Sequence, residues 1–271
     1  MSTPYCGPPP LPTLLAWSWN LDPVLIAGLA ILAIAYAVGC RRLEPSGSGL
    51  SPSRKAAFYL GWLITALGLL SPLCPLSVSL FSARVGQHMI LTLLAAPLVV
   101  AGRPVEVCAE LFAKPSRSRR WLQPSPLRAA GLLAALLWFW HAPAPYAATF
   151  HSALVYWAMH LTVFGSALWL WDGLFDLRSA SMVHRVAAGV VSSMQMSFLG
   201  ALITLAPRSL YMPHAFTTAA WGLTPLQDQQ LGGGIMWVPG CLVVLAISLL
   251  PLWPALAGHL ESRSSASPTS A

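Results

Sequence analysis

The sequence predicts an all-α membrane protein with seven transmembrane helices. Its 271 residues are 56% hydrophobic and only 8% Asp, Glu, Lys and Arg, whereas a soluble domain carries about 25% charged residues. Seven apolar stretches approach the length of about 20 residues that spanning requires. The basic residues gather in alternate connections between those stretches.

In order, the stretches fall at 23–40, 54–73, 85–102, 128–142, 151–171, 185–206 and 233–256. Six are long enough to span. The fourth is short and is broken by Pro143 and Pro145, so it either begins earlier, near Leu122, or spans with a tilt. The connection holding Arg41, Arg42, Arg54 and Lys55, the one holding Arg103, Lys114, Arg117, Arg119, Arg120 and Arg128, the one holding Arg178 and Arg185, and the tail with Arg263 together carry thirteen of the fifteen basic residues. Arg84 and Arg208 fall on the other side. Positive connections stay cytoplasmic, which puts the N-terminus outside (periplasmic) and the C-terminus in the cytoplasm. The net charge of +7 then reads as a basic inner rim facing anionic membrane lipid, with no nucleic acid required.

Three regions follow: an outer N-terminal segment at 1–22, a seven-helix transmembrane domain at 23–256, and a Ser-rich, disordered cytoplasmic tail at 257–271. Residues 1–21 lack a basic start and are rich in Pro, unlike a cleaved signal peptide. No internal repeat or large soluble domain is evident. Cys40 and Cys108 fall toward the inner side, and Cys6, Cys74 and Cys241 toward the outer. Spacing leaves open whether Cys6 and Cys74 pair, and no CxxC motif is present.

Five of the seven histidines, His88, His141, His151, His160 and His214, belong to the outer side in this topology. Ionisable groups in a bilayer are costly and mark a metal, a proton path or a substrate. His88 lies about one turn below the outer surface. His160 is nine residues past His151, which is about 13 Å deeper and roughly on the opposite helical face. His141 and His151 flank a Pro-rich turn, where a histidine caps a helix or sits among headgroups as readily as it binds a metal. His214, in Tyr211-Met212-Pro213-His214, reads as a solvated loop residue. Imidazole suits copper and zinc, and thioether sulfur suits Cu(I). Met89, Met159, Met194, Met196 and Met212 lie near these histidines in sequence, although core filling is the commoner use of methionine. The tryptophans, among them Trp17, Trp19, Trp138, Trp140, Trp169, Trp171 and Trp237, read as interfacial belts.

Residues 228–240, DQQLGGGIMWVPG, lead into the last apolar stretch. Asp228 suits a cap at that helix start, and Gly232, Gly233 and Gly234 allow close helix approach. Gln229 and Gln230 can orient imidazoles by hydrogen bonds.

Three segments carry a family resemblance. They are Gln87-His88-Met89 through Ala96-Pro97-Leu98 to Gly102-Arg103-Pro104, then Trp140-His141-Ala142-Pro143 through Tyr146, His151 and His160, and residues 228–240. In these the chain resembles the CtaG family of cytochrome c oxidase assembly factors, the polytopic type associated with caa3 oxidases. It does not resemble the single-span copper chaperone that shares the name, whose cysteine-bearing soluble domain is absent here. The resemblance implies a non-enzymatic, multi-pass chaperone of the bacterial inner membrane that serves the respiratory chain. It would deliver copper to the CuB centre of the oxidase's subunit I. The family's histidines fall on His88, His141, His151 and His160; the resemblance does not extend to His214.

The expected metal ligands are therefore His88, His141 and His160 first and His151 and Met89 next, with Asp228, Gln229 and Gln230 supporting them. The rival expectations are a metal-free assembly scaffold, an intramembrane zinc hydrolase using Asp228 or Asp172 as its acid, and haem held by paired histidines.

Overall fold

The computed structural model describes residues 4–44, 49–111, 125–176 and 181–250. Every regular element among them is helical. A short 3-10 helix, Pro12–Trp17, precedes α1 (Pro23–Leu43). Next come α2 (Pro52–Leu70), α3 (Leu73–Ser79) and α4 (Phe81–Met89). A π-helical turn at Ile90–Ala95 carries α4 into α5 (Ala96–Ala101). Then follow α6 (Pro104–Leu111), α7 (Pro126–His141), α8 (Pro143–Ala148), α9 (Ala153–Phe175) and α10 (Met182–Leu205). Two 3-10 turns, Met212–His214 and Thr218–Trp221, lead to α11 (Pro225–Ile235). A second π turn at Met236–Gly240 joins α11 to α12 (Cys241–Leu249).

The protein is a helical membrane protein, but among the described residues length and apolarity mark fewer spans than seven. Five continuous helices qualify: α1, Phe81–Ala101, α9, α10 and Pro225–Leu249. A sixth qualifies if α2 and α3, which meet at a 46° bend, form one span. The bend follows from Pro72, whose preceding residue Ser71 is extended. The remaining expected span is α7, whose 16 residues cover about 24 Å, short of the roughly 30 Å hydrocarbon core. Its possible earlier start near Leu122 lies outside the described residues, as do residues 257–271 and most of the basic connection at 112–124.

Two spans begin earlier than their apolar stretches predict, because polar side chains fix their starts. Pro225–Leu249 opens with a reciprocal cap: Gln227 N–H donates to Thr224 Oγ1 at 3.2 Å, and Thr224 N–H donates to Gln227 Oε1 at 2.9 Å. The carboxylate of Asp228, fully buried, does not cap its own helix. It accepts from the Phe81 and Ser82 N–H groups at 2.6 and 3.1 Å and from the Ser82 hydroxyl, so it caps α4 from across the bundle. The glycines beside it permit that approach. A Cβ on Gly232 would sit 2.5 Å from the Phe81 ring, and one on Gly233 2.8 Å from the Gly200 carbonyl on α10. Gly234 faces open space.

The N-terminal segment packs onto the same end of the bundle. Cys6 and Cys74 are joined in a disulfide, their Cα atoms 5.4 Å apart. Tyr5 stacks on Tyr156, its ring 4.8 Å away, and donates to Asp22. Asp22 in turn accepts from Val24 N–H at 2.8 Å and caps α1. At the opposite end the Tyr36 hydroxyl donates to the Gly102 carbonyl at 2.8 Å, and Lys55 pairs with Glu44 at 2.7 Å. Two of the tryptophans expected in interfacial belts are buried instead. Trp171 Nε1 donates to the Thr92 carbonyl at 2.7 Å and Trp140 Nε1 to Thr162 Oγ1 at 3.0 Å. A buried indole takes such a partner, and helix packing here overrides the belt preference.

Asp228→Ala strips two buried N–H groups of their acceptor. Thermal unfolding of the detergent-solubilised protein is expected to show a loss of about 2 kcal/mol, whereas an unchanged midpoint would contradict the capping role. Under denaturing, non-reducing conditions maleimide is expected to label Cys40, Cys108 and Cys241 only, with Cys6 and Cys74 reacting after reduction; mass spectrometry reads the difference.

Candidate metal centre

Three of the expected histidines are buried near one another, each placed by a different helix. His88 lies on α4, His141 ends α7, and His160 is two turns into α9. The His88 and His160 rings are 5.1 Å apart, edge to face. His141 lies within electrostatic reach of His88. Among the described residues no three His, Cys, Asp or Glu side chains converge closely enough to hold an ion.

Hydrogen bonds set the state of two of these rings. His160 Nδ1 is 3.1 Å from the Tyr156 carbonyl and His141 Nδ1 is 2.8 Å from the Leu137 carbonyl, each one helical turn back. A carbonyl only accepts, so in the neutral rings the proton sits on Nδ1 and the Nε2 lone pair stays bare. Metal-binding histidines are commonly held in this way. His160 Nε2 and His88 Nε2 are both buried without a hydrogen-bond partner. Such atoms are costly in an apolar core unless something else engages them.

The backbone around His88 departs from an ordinary helix. The π turn starts two residues after it, a feature that recurs at functional sites. Thr92 Oγ1 donates to the His88 carbonyl at 2.7 Å, and Trp171 holds the Thr92 carbonyl. Met89 points elsewhere, because a Cβ on Gly240 would meet Met89 Sδ at 3.3 Å and Met196 Cε at 2.8 Å. Two thioethers thus pack against the second π turn.

The other expected residues are placed differently. His151 is exposed in the turn before α9, outside the helix that the sequence predicts for it, while His160 is buried within that helix. Asp228 acts on α4 through its first two N–H groups. Gln229 joins α10 to the following loop: its Nε2 donates to the Ile203 carbonyl at 3.1 Å, and its Oε1 accepts from Leu210 N–H at 2.6 Å. The Gln230 side chain is exposed.

Several residues at this end were not singled out in the sequence. His214 was expected in solvent, yet it is 1% exposed. Its Nε2 lies 2.6 Å from the Tyr146 hydroxyl, and Phe150 and Phe81 flank its ring. The 3-10 turn folds it inward, and burial holds its pKa down at about 3. Arg84, one turn before His88, is also 1% exposed. Its guanidinium donates to Thr149 Oγ1 at 2.6 Å and lies 4.2 Å from the centre of the Phe150 ring. Its Nε has no partner. The available signal was that Arg84 is one of only two basic residues outside the basic connections. Gln87 is buried as well, its Nε2 donating to the Gly68 carbonyl at 2.7 Å. The Tyr156 hydroxyl lies 3.3 Å from Cys6 Sγ and 3.6 Å from Cys74 Sγ, and its ring centre is 4.2 Å from that of His160.

His214 has a definite pH consequence. Its folded pKa of about 3 lies below the unfolded value of about 6.5. Below pH 6.5 the unfolded chain therefore binds the proton more readily, and stability falls as pH drops from there toward 3. By pH 5 the expected loss is about 2 kcal/mol. Thermal melts from pH 7 to 5 should show it, and His214→Gln should remove that component; an identical pH profile in the variant would exclude His214 as its source.

The profile of the cytochrome c oxidase caa3 assembly factors (Caa3_CtaG) matches residues 34–256. The relatives include proteins described only as uncharacterized from Mycobacterium bovis and Mycobacterium tuberculosis, each 25% identical over 88% of this chain. The chain spans 40% of the length of those two relatives. No solved structure matches. The matched region contains the buried histidines His88, His141, His160 and His214, Asp228 and both π turns, and the chain belongs to the caa3-type cytochrome c oxidase assembly factor family.

Proposed function

We propose that this protein holds copper transiently between His88 and His160 and helps insert it into subunit I of a haem–copper oxidase, at the CuB centre. The paired imidazoles carry this reading: two buried rings 5.1 Å apart, each with an Nε2 that no hydrogen bond engages. Metal–imidazole bonds of about 2.0–2.1 Å can bridge rings at that separation. Copper here is cargo. A site with two ready donors suits a carrier that must release its ion, because each further ligand would tighten binding.

His141 is the further imidazole nearest in role, since its Nδ1 is already committed to the Leu137 carbonyl and its Nε2 would be the atom offered to an ion. The exposed His151 is the candidate for handing the ion on, whereas Met89, turned toward the second π turn, lies apart from the pair. Asp228, Gln229 and Gln230 support the site by fixing helix positions. Asp228 sets the start of α4 and with it the height of His88.

The membrane would be the bacterial inner membrane, crossed seven times with α7 as the short span, the N-terminus periplasmic and the C-terminus cytoplasmic. The site then lies toward the outer face. Subunit I would dock through membrane-embedded helices, and the protein would act without catalysis of its own. A zinc hydrolase fits less well, because Asp228 already accepts three hydrogen bonds from Phe81 and Ser82. A metal-free scaffold remains the competing assignment, favoured by the lack of a third converging donor among the described residues.

The purified protein is expected to carry about one copper ion per chain, with His88→Ala and His160→Ala each losing most of it. In cells lacking the native protein, either variant should insert into the membrane normally yet leave the oxidase with low activity and reduced CuB content. Full oxidase activity in both variants, with copper content unchanged, would exclude this function for the pair.

A further inference from the structure

We infer that the ion accepted between His88 and His160 is monovalent Cu(I), and that Arg84 excludes divalent ions. The inference rests on the copper reading above and specifies the charge of the cargo.

Ligand number is the first argument. The His88 and His160 rings are 5.1 Å apart, their Nε2 atoms have no hydrogen-bond partner, and no group of three His, Cys, Asp or Glu forms there among the described residues. Structural zinc sites are almost always four-coordinate, and Cu(II) favours tetragonal nitrogen and oxygen donors. Cu(I) is stable with two or three donors.

Charge is the second. Both candidate ligands are neutral as ligands, so the ion's charge is not compensated. The nearby carboxylate, Asp228, is taken up by the start of α4. Arg84 adds a positive charge on the same helix, one turn from His88, within electrostatic reach of both His88 and His160. Among the described residues it meets no carboxylate; a hydroxyl and aromatic faces hold it instead. Its repulsion scales with the ion's charge and is felt strongly in a buried setting. A divalent ion therefore meets twice the repulsion that a monovalent ion meets.

This also gives Arg84 a role that its cost demands: a buried, uncompensated guanidinium is expensive, and it earns its place by selecting charge.

The test uses the full chain purified in detergent. Cu(I) affinity is read by competition with bathocuproine disulfonate, Zn(II) affinity with a chromophoric zinc chelator, and Cu(II) occupancy by electron paramagnetic resonance. The expected result is Cu(I) binding that depends on His88 and His160, with Zn(II) and Cu(II) held far more weakly. Arg84→Gln should narrow the preference for Cu(I) over Zn(II) by about tenfold or more, while Arg84→Lys, which keeps the charge, should retain it. Zn(II) or Cu(II) bound as tightly as Cu(I) would overturn the inference and leave the pair standing as a metal site. An unchanged preference in a folded Arg84→Gln would overturn the part assigned to Arg84. Binding of copper in neither state would overturn the copper reading itself and this inference with it.

Discussion

The arrangement depends on one carboxylate. Asp228 leaves its own helix start to the Thr224–Gln227 cap and instead closes the first turn of α4, across the bundle. A charged acceptor at a helix N-terminus satisfies donors that have no intrahelical partner and complements the dipole. Inside a membrane protein the alternative is bare N–H groups in an apolar medium, which is costly. The contact therefore fixes where α4 begins, and the rigid spacing of the helix places Arg84, His88 and the π turn at set depths below it. Gly232 and Gly233 let the backbones approach closely enough for the carboxylate to reach.

Some buried polar side chains of this fold are engaged by the backbone. Thr92, Trp171, Gln87 and Gln229 each pair with a backbone group, as an apolar surrounding requires. Twelve buried side-chain atoms among the described residues lack a hydrogen-bond partner; beside His88 Nε2, His160 Nε2, Arg84 Nε and His214 Nδ1 they include Gln87 Oε1, both amide atoms of Gln195 and the Ser192, Ser193 and Thr218 hydroxyls. Among them the imidazole Nε2 atoms of His88 and His160 differ by their chemistry: a neutral ring nitrogen can offer a lone pair to a metal ion, which a guanidinium N–H cannot. In the proposed function a cargo that binds and departs uses those two lone pairs.

The parts of this architecture legible in the sequence were those that depend on local composition. Apolarity gave a helical membrane protein, and the depth of His88 and His160 in their stretches identified them as the histidines that need a partner. The small residues at 232–233 pointed to close packing, whereas His151, read as the start of a helix, lies in the turn before it. Features that join distant residues were not legible. Asp228 and Phe81 are 147 positions apart, so the carboxylate read as a cap for its own helix. His214 looked solvated because loop position says nothing about a 3-10 turn that folds the ring under Phe81 and Phe150. The break of the second apolar stretch did have a local signal in Pro72, outweighed by the hydrophobic run around it. The α7 stretch falls short because length alone, without the packing that sets tilt and local thickness, does not decide a span.

The proposed function stands on two imidazoles, from α4 and α9, ligating the same ion. X-ray absorption at the copper K-edge of the copper-loaded wild-type protein reads that ligation. A first shell dominated by nitrogen at about 2 Å is expected, with outer-shell multiple scattering from two imidazole rings. A first shell of sulfur alone, or nitrogen and oxygen scattering without imidazole features, would contradict it.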